Sequence, residues 1–336
     1  MAKGAITIKD VAREANVSVA TVSRALNGHE NVAEPVRLLV REVAERLRYS
    51  PHAAARSLSS RSTQTVGVVL PDLYGEFFSE LIRGIDGIAR ARGQHLLVSS
   101  YHGDQEEQGR ALRAMRGRVD GLLVLSPYAE HPGFLTDNLP QALPTVLINT
   151  QLPDDQYPML SIDDHAGAFA MTEHLLARGH RRIAFIGGPA LNFDARERLR
   201  GFRDAIAAHP GEVEGRELDG DFDEASGHRA GQALLAAGAL PDAVFAANDM
   251  MALGCLYAFT QAGIQVPADI ALAGFDDIPL ARFVHPSLTT MRVSIAELGE
   301  QAMTCLLDWI DHPGVEERRR QTLVPSLIVR DSSAAK

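Results

Sequence analysis

Six polar residues follow short apolar runs along this 336-residue chain: Asn149, Asn192, Asp194, Arg198, Asn248 and Asp276. An amide both donates and accepts hydrogen bonds, a carboxylate accepts, and a guanidinium donates in a fixed fork. Such groups together suit a polyhydroxylated ligand, because every hydroxyl of a sugar both donates and accepts. A second chemistry lies near the N-terminus. Ser18 can cap a helix in which Val22, Ala25 and Leu26 commit one stripe to packing, so Val19, Ala20, Ser23, Arg24 and Asn27 must face outward. An outward face of this kind can read base edges.

Reaction chemistry is missing. The sequence has no G-x-S-x-G elbow, no G-x-x-x-x-G-K-[ST] phosphate loop, no strand-linked G-x-G-x-x-G and no H-E-x-x-H metal site. Asp163, Asp164 and His165 are consecutive in "SIDDHAG", so their side chains diverge. A helix cap followed by a solvated face is expected there, not a metal site. The chain is expected to be no enzyme and to need no cofactor. The two rival readings, an α/β enzyme and a secreted binding protein, lack respectively the catalytic motifs and a signal peptide.

The outward face needs short helices to present it. Thr7 stands three residues before Asp10, a capping-box spacing, and Ile8, Val11, Ala12 and Ala15 then share one side. Asn16-Val17-Ser18 breaks that helix, and Asn27-Gly28 ends the next. A third helix, roughly Pro35 to Leu47, carries Val36, Leu39, Val40, Val43 and Leu47 to close a three-helix core. Charge follows the same division: residues 1–64 sum to +4 and the remainder to -14, for a net -10. A basic head on an acidic body suits a module that approaches phosphates.

After Pro51, "HAAARSLSS" is rich in helix formers but only about two turns long, which is marginal for a helix on its own. From Thr65 the pattern becomes "TVGVVL", "HLLVSS", "VDGLLVLS", "PTVLIN", "RIAFIGG", "AVFAA" and "DIALAGF", alternating with helical stretches. Continuous apolar runs imply parallel strands covered on both faces, and their number requires two stacked sheets. Hydrophobic residues make up 46% of the chain, but no run approaches the ~18 residues of a membrane span. The N-terminus has no secretory apolar core. Cys255 and Cys305, fifty residues apart, read as buried small hydrophobes in a reduced, cytoplasmic setting.

The stretch "TIKDVAREANVSVATVSRALNG", Thr7 to Gly28, resembles the helix-turn-helix signature of the LacI/GalR (lactose-repressor) family almost residue for residue. The resemblance continues in order through "RYSPHAAARSLSSRSTQTVGVVLPD", "GHRRIAFIGG", "RLRGF", "ANDMMALG" and "AGFDD". Ala33 stands where the family usually has a Ser or Thr cap, and His52 where it usually has Asn. The fold implied is a small all-α helix-turn-helix DNA-binding domain plus an α/β two-lobed type I periplasmic-binding-protein-like domain. Its divisions are a headpiece at 1–50, a hinge helix and linker at 51–64, an effector-binding and dimerisation body at 65–331, and a tail at 332–336. The body's N-lobe comprises 65–162 and 291–321, and its C-lobe 163–290 and 322–331.

The function implied is a sequence-specific repressor whose operator affinity is modulated by a small effector, a sugar or sugar phosphate, controlling carbohydrate-utilisation genes. The DNA-facing set is Thr7, Ser18, Val19, Ala20, Thr21, Ser23, Arg24, Asn27, Tyr49, Ala55 and Leu58. Val19 and Ala20 choose among bases, Thr21 and Ser23 hold phosphates, and Leu58 wedges a minor-groove step. Arg24 has two readings, a guanine fork and a phosphate contact. The effector set is Phe77, Phe78, Ser126, Asn149, Asn192, Asp194, Arg198, Phe222, Asn248 and Asp276. The three phenylalanines either sandwich a sugar ring or belong to the core, and Asn149 stands where a large aromatic would stack on a purine. The partners are a pseudo-palindromic duplex operator, a small-molecule effector and a second copy of the chain. With no leucine-heptad segment after "LIVRDSSAAK", the expected assembly is a homodimer. Inducer and corepressor behaviour are both compatible with these residues.

Overall fold

The computed structural model describes residues 6–26, 31–49, 62–128, 132–140, 142–150, 156–312 and 320–334. Asn27, Ala55 and Leu58 lie outside the described residues. The chain divides into two compact units, Met1–Thr63 and Gln64–Lys336.

In the first unit, the Asp10 carboxylate accepts from the Thr7 backbone N–H at 3.0 Å and from the Thr7 hydroxyl at 2.7 Å, which starts α1 (Ile8–Glu14). Asn16, at φ 50°, turns the chain. Ser18 Oγ accepts from the Thr21 N–H at 3.0 Å and starts α2 (Val19–Leu26). The third helix, α3 (Glu34–Arg46), begins at Ala33 with no side-chain cap, and a proline in its first turn fixes the entry. Val11, Val22, Ala25, Val40 and Val43 bury the shared core. Leu39 does not join it. It sits beside the stripe set by Val36, Val40, Val43 and Leu47 and is 44% exposed.

The second unit holds two six-stranded sheets, ordered β11-β5-β4-β3-β1-β2 and β12-β10-β9-β8-β6-β7. The first contains β1 (Thr65–Leu70), β2 (His95–Ser100), β3 (Gly121–Leu125), β4 (Thr145–Ile148), β5 (Met159–Ile162) and β11 (Arg320–Leu323). The second contains β6 (Arg182–Ile186), β7 (Glu214–Leu218), β8 (Ala243–Ala246), β9 (Ala271–Asp276), β10 (Thr289–Arg292) and β12 (Ser326–Ile328). Every pairing is parallel except β10 with β12. Parallel neighbours require crossover helices, and those helices cover both faces of each sheet, which is why β1, β3, β4, β8 and β9 are almost wholly apolar and buried.

On the first sheet lie α4 (Glu76–Ala91), α5 (Gln105–Met115), α6 (Pro132–Asn138) and α11 (Ile295–Asp311); on the second, α7 (Asp164–Ala177), α8 (Phe193–Ala207), α9 (Glu224–Ala236) and α10 (Asp249–Gln261). The chain passes from the first lobe to the second after Ile162, returns after Arg292, and passes over again after Leu323. The last two crossings fall slightly later than the family boundaries at 290/291 and 321/322. Arg292 still pairs with β9 in the second sheet, and Leu323 still pairs with β5 in the first.

Two close helix contacts place the polar residues. A Cβ on Gly201 of α8 would meet the His165 carbonyl of α7 at 2.3 Å, and one on Gly227 of α9 would meet the Met251 carbonyl of α10 at 2.0 Å. Only glycine permits these backbones to touch. Among the described residues no helix is long and apolar enough to cross a membrane.

Candidate functional site

The head presents the surface that its helical periodicity requires. With Val22 and Ala25 fully buried, Val19, Ala20 and Arg24 are exposed on α2, and Thr21 and Ser23 are half-buried beside them. Arg24 has no ion pair with another described residue, so its guanidinium is available to an outside acceptor. Ser18 and Thr7 stand at the helix starts, committed to local hydrogen bonds. Tyr49 is half-buried, and its ring packs against the head core.

In the second unit, a cavity of about 560 Å³ opens between the carboxyl ends of the two sheets. Phe77, Phe78, Asn192, Asp194, Arg198, Phe222, Asn248 and Asp276 all line it. Ligands of doubly wound sheets bind at this edge, because the strands end there and the following helices begin. Asn192 caps α8 by accepting from Ala195 N–H at 3.0 Å, and Asn248 caps α10 by accepting from Met251 N–H at 2.9 Å. The Asn248 amide also donates to the Phe222 carbonyl at 2.8 Å, which holds Phe222 at φ 64° against the wall. Phe77 and Phe78 meet edge to face, with centroids 5.4 Å apart. They line the cavity and also pack on the core.

Arg198 is the centre of the polar set and is 4% exposed. Its Nε donates to Asp164 Oδ1 at 2.7 Å, its Nη1 donates to the Ala247 carbonyl at 2.6 Å, and Asp276 Oδ1 lies 3.2 Å from Nη1. The guanidinium lies 3.9 Å from the centroid of the Phe275 ring. Burial opposes its charge, but Asp164, Asp276 and Asp194 together raise its pKa. These three carboxyls crowd a single cation. Burial pushes the pKa of Asp276 up to about 7, against the pull of Arg198. Burial, reinforced by Asp164, lifts Asp194 well above the usual carboxylate range. Asp164 is raised by burial despite its pairing with Arg198. Asp194 Oδ1 and Asp164 Oδ2 are buried without a hydrogen-bond partner, and Asp276 Oδ1 has its ion pair with Arg198 but no well-aligned hydrogen bond.

Three expectations need correction. Ser126 is not on the cavity wall: it is buried under it, its Oγ donating to Gln108 Oε1 at 3.2 Å. Asn149 is also held behind the wall. Its Oδ1 accepts from Ile162 N–H at 2.9 Å and its amide donates to Asp194 Oδ2 at 3.3 Å, so it braces Asp194 across the lobes and offers no face to a ligand. Asp163 caps α7 and His165 pairs with Asp204 at 2.8 Å, but Asp164 faces inward to Arg198 rather than into solvent.

Several positions in and around the cavity carried no sequence signal. Asp72, Tyr74, His102, Tyr128, Asp221, Asp223 and Met250 complete the wall from loops and helix starts. Asp249, fully buried, accepts from Thr290 Oγ1 at 2.6 Å and Ile278 N–H at 3.0 Å, and burial raises its pKa well above the ordinary value. Asp277 binds Arg292 and Arg330, each at 2.6 Å, beside the second and third crossings. Asp276 and Asp277 both have positive φ, 113° and 56°. Such backbone strain in a non-glycine pair is typical of functional sites. The doublet "DD" after a strand was the one visible hint.

Comparison with known proteins agrees with this geometry. Residues 7–52 match the bacterial regulatory proteins of the lacI family, and residues 172–333 match the periplasmic binding protein-like domain. The ribose operon repressor of Escherichia coli strain K12 is 38% identical over 97% of this chain and 99% of its own length. The HTH-type transcriptional regulator GalR of the same organism is 37% identical over 97% of this chain and 95% of its own. The solved lac repressor dimer, bound to operator and the anti-inducer ONPF, matches with a TM-score of 0.84 at 28% identity, over 98% of this chain and 100% of that one. Two of these relatives are named repressors and the third a transcriptional regulator. A helix-turn-helix head, a two-sheet body with a polar interlobe cavity, and likeness along nearly the whole length establish that the chain belongs to the lacI family of bacterial regulatory proteins.

Proposed function

We propose that this chain is a cytoplasmic, homodimeric transcriptional repressor that places the exposed face of α2 in the major groove of a pseudo-palindromic operator and binds a sugar in its interlobe cavity. The observation that carries the reading is the cavity itself. Arg198, Asp194 and Asp276, with Asn192 and Asn248, converge on a space of about 560 Å³ beside the rings of Phe77, Phe78 and Phe222. Fixed polar groups plus aromatic faces are what a sugar needs, hydroxyl by hydroxyl and ring face by ring face. In the head, Val19 and Ala20 favour thymine methyls, and Arg24 supplies the polar readout. The effector acts by linkage: a sugar that binds one arrangement of the lobes more tightly shifts the population toward it, and operator affinity changes by the same coupling energy. Tyr257, Leu280 and Phe283, exposed large hydrophobics of the second lobe, are the kind of surface a second copy covers.

The test is operator selection from random duplex, followed by binding titrations across salt concentrations with and without sugars. The expected result is a preference of roughly 10³-fold or more over random DNA, a steep salt dependence, and a change in affinity when a sugar is added. Absence of any sequence preference, with and without sugars, defeats the repressor reading. Sedimentation showing a tetramer defeats the dimer.

A further inference from the structure

The charge of the ligand is written into the cavity. We propose that the cleft takes an unphosphorylated sugar and rejects the phosphate ester of that same sugar. The inference rests on the sugar-binding reading above and narrows it to hydroxyl-donating, non-anionic ligands.

Helix N-termini are where proteins hold phosphates, because free N–H groups and the helix dipole converge there. Four helices start at this cavity, since the residues preceding α4, α8, α9 and α10 (Gly75, Asn192, Asp223 and Asn248) all line it. Each carries its own acid in the first turn: Glu76, Asp194, Glu224 and Asp249. Three of them also have a side-chain oxygen already on a first-turn N–H, with Asp223 accepting from Ser226 at 2.7 Å alongside the two asparagine caps. The device for binding phosphate is present four times; at three the chain occupies a first-turn N–H itself, and at α4, which has no side-chain cap, it places Glu76 in the first turn.

The ionisable lining points the same way. Asp72, Asp194, Asp221, Asp223 and Asp276 face the cavity, against Arg198 and His102. Arg198 is already engaged by Asp164, Asp276 and the Ala247 carbonyl. A phosphate dianion would enter a field of carboxylates and find its one buried guanidinium taken.

The unmet need is for donors. Asp194 Oδ1 is buried without a hydrogen-bond partner, Asp276 Oδ1 has its ion pair with Arg198 but no well-aligned hydrogen bond, and both residues line the cavity. A buried acceptor left unpaired is costly, and a sugar hydroxyl can satisfy it by donating. An ionised phosphate oxygen has no proton to give.

The experiment measures melting shifts and calorimetric binding of the full chain, at pH 7.5, with free mono- and disaccharides and with the phosphate monoester of each. Inorganic phosphate is included as a separate probe. The expected result is that at least one free sugar binds, its phosphate ester binds at least about 30-fold more weakly, and millimolar inorganic phosphate gives no shift. An ester that binds as tightly as its free sugar, or a shift with inorganic phosphate, overturns this inference and leaves the sugar-sensing reading standing. No response to any sugar or ester overturns that reading, and this inference with it. Asp221→Lys supplies a second measurement, since Asp221 is exposed on the rim and pairs only at the surface with Arg229. The ratio of free-sugar to ester affinity should narrow at least about threefold in this variant. An unchanged ratio overturns the role given to the acidic lining.

Discussion

The first lobe meets the cleft mainly with Phe77, Phe78, Leu125 and Tyr128, beside Asp72 and His102, and the second mainly with Asn192, Asp194, Arg198, Asn248 and Asp276, beside Phe222 and Met250. Both walls stand at strand ends in sheets of the same order, so topology does not explain the contrast. What differs is how each wall is supported. The phenylalanines of the first lobe rest on the core that already packs α4 against α11, and their exposed faces need no partner. The polar groups of the second lobe must be paired internally, and Arg198 does this for Asp164 and Asp276 at once. Shape and exclusion of water thus come from the first lobe, and orientation and selectivity from the second. Stability should be sensitive on the polar side and tolerant on the apolar side.

The sharpest way to break this contrast is Arg198→Ala. Removing the cation strands Asp164 and Asp276 in the interior, and breaking a buried pair in this way costs about 3–5 kcal/mol. Denaturant unfolding should show that loss, and sugar-induced melting shifts should vanish. Below the lowered midpoint, operator binding should persist. A variant as stable as the parent would mean that the three carboxyls are protonated without help, and that the second lobe is no more charge-dependent than the first.

Proton linkage probes the same lobe more gently. Asp276 holds its proton up to about pH 7 in the folded chain, compared with 3.8 for the free side chain. A carboxyl that binds its proton more tightly when folded stabilises the fold while it stays protonated, and that contribution is lost as pH rises through about 7. Asp194 and Asp249 shift in the same direction. Melting midpoints of the parent, taken relative to Asp276→Asn, should therefore fall between about pH 4 and pH 7 and level off above that. Parallel profiles for the two proteins would remove Asp276 from this role.

Phe78→Ala addresses the first lobe. Half-buried on α4, the ring should contribute more to the ligand than to the fold. Sugar affinity should drop about tenfold, the equivalent of ~1.4 kcal/mol, with a smaller loss of stability. The reverse ranking, measured by calorimetry and denaturant unfolding, would make Phe78 a core residue that happens to touch the cavity.

The two walls also differed in how far the sequence revealed them. Long apolar runs marked β1, β2, β3, β4, β6, β8 and β9, because buried parallel strands leave no room for polar residues. Two edge strands were silent: β7 is "EGREL" and β11 "RQTL", mostly exposed and without an apolar face to betray them, whereas β2, also at an edge, kept the run "HLLVSS". The head was legible because short capped helices advertise both ends, although Leu39 shows that helical spacing alone does not say which flank of a stripe is buried. In the cavity, the residues at strand ends could be anticipated one by one. Their pairing could not, since Asp164 and Arg198 are brought together by the close helix contact at Gly201, a three-dimensional event with no local pattern. Asn149 misled for a related reason: a polar residue after a strand can serve its neighbours instead of a ligand.

The smallest effect belongs to a side-chain bridge at the mouth. Tyr74, on the first lobe and 61% exposed, donates from its Oη to Glu224 Oε2 on the second at 2.8 Å, and that hydrogen bond together with the carboxylate's charge raises the phenol's pKa. Water competes for both groups, so Tyr74→Phe should leave the melting midpoint unchanged and alter sugar affinity by no more than about twofold. The ring remains as wall, and only the bridge is lost. If calorimetry instead showed a loss as large as that of Phe78→Ala, the lobes would be held by their rim, and the division between a shaping wall and an orienting wall would have to give way to a latch shared by both.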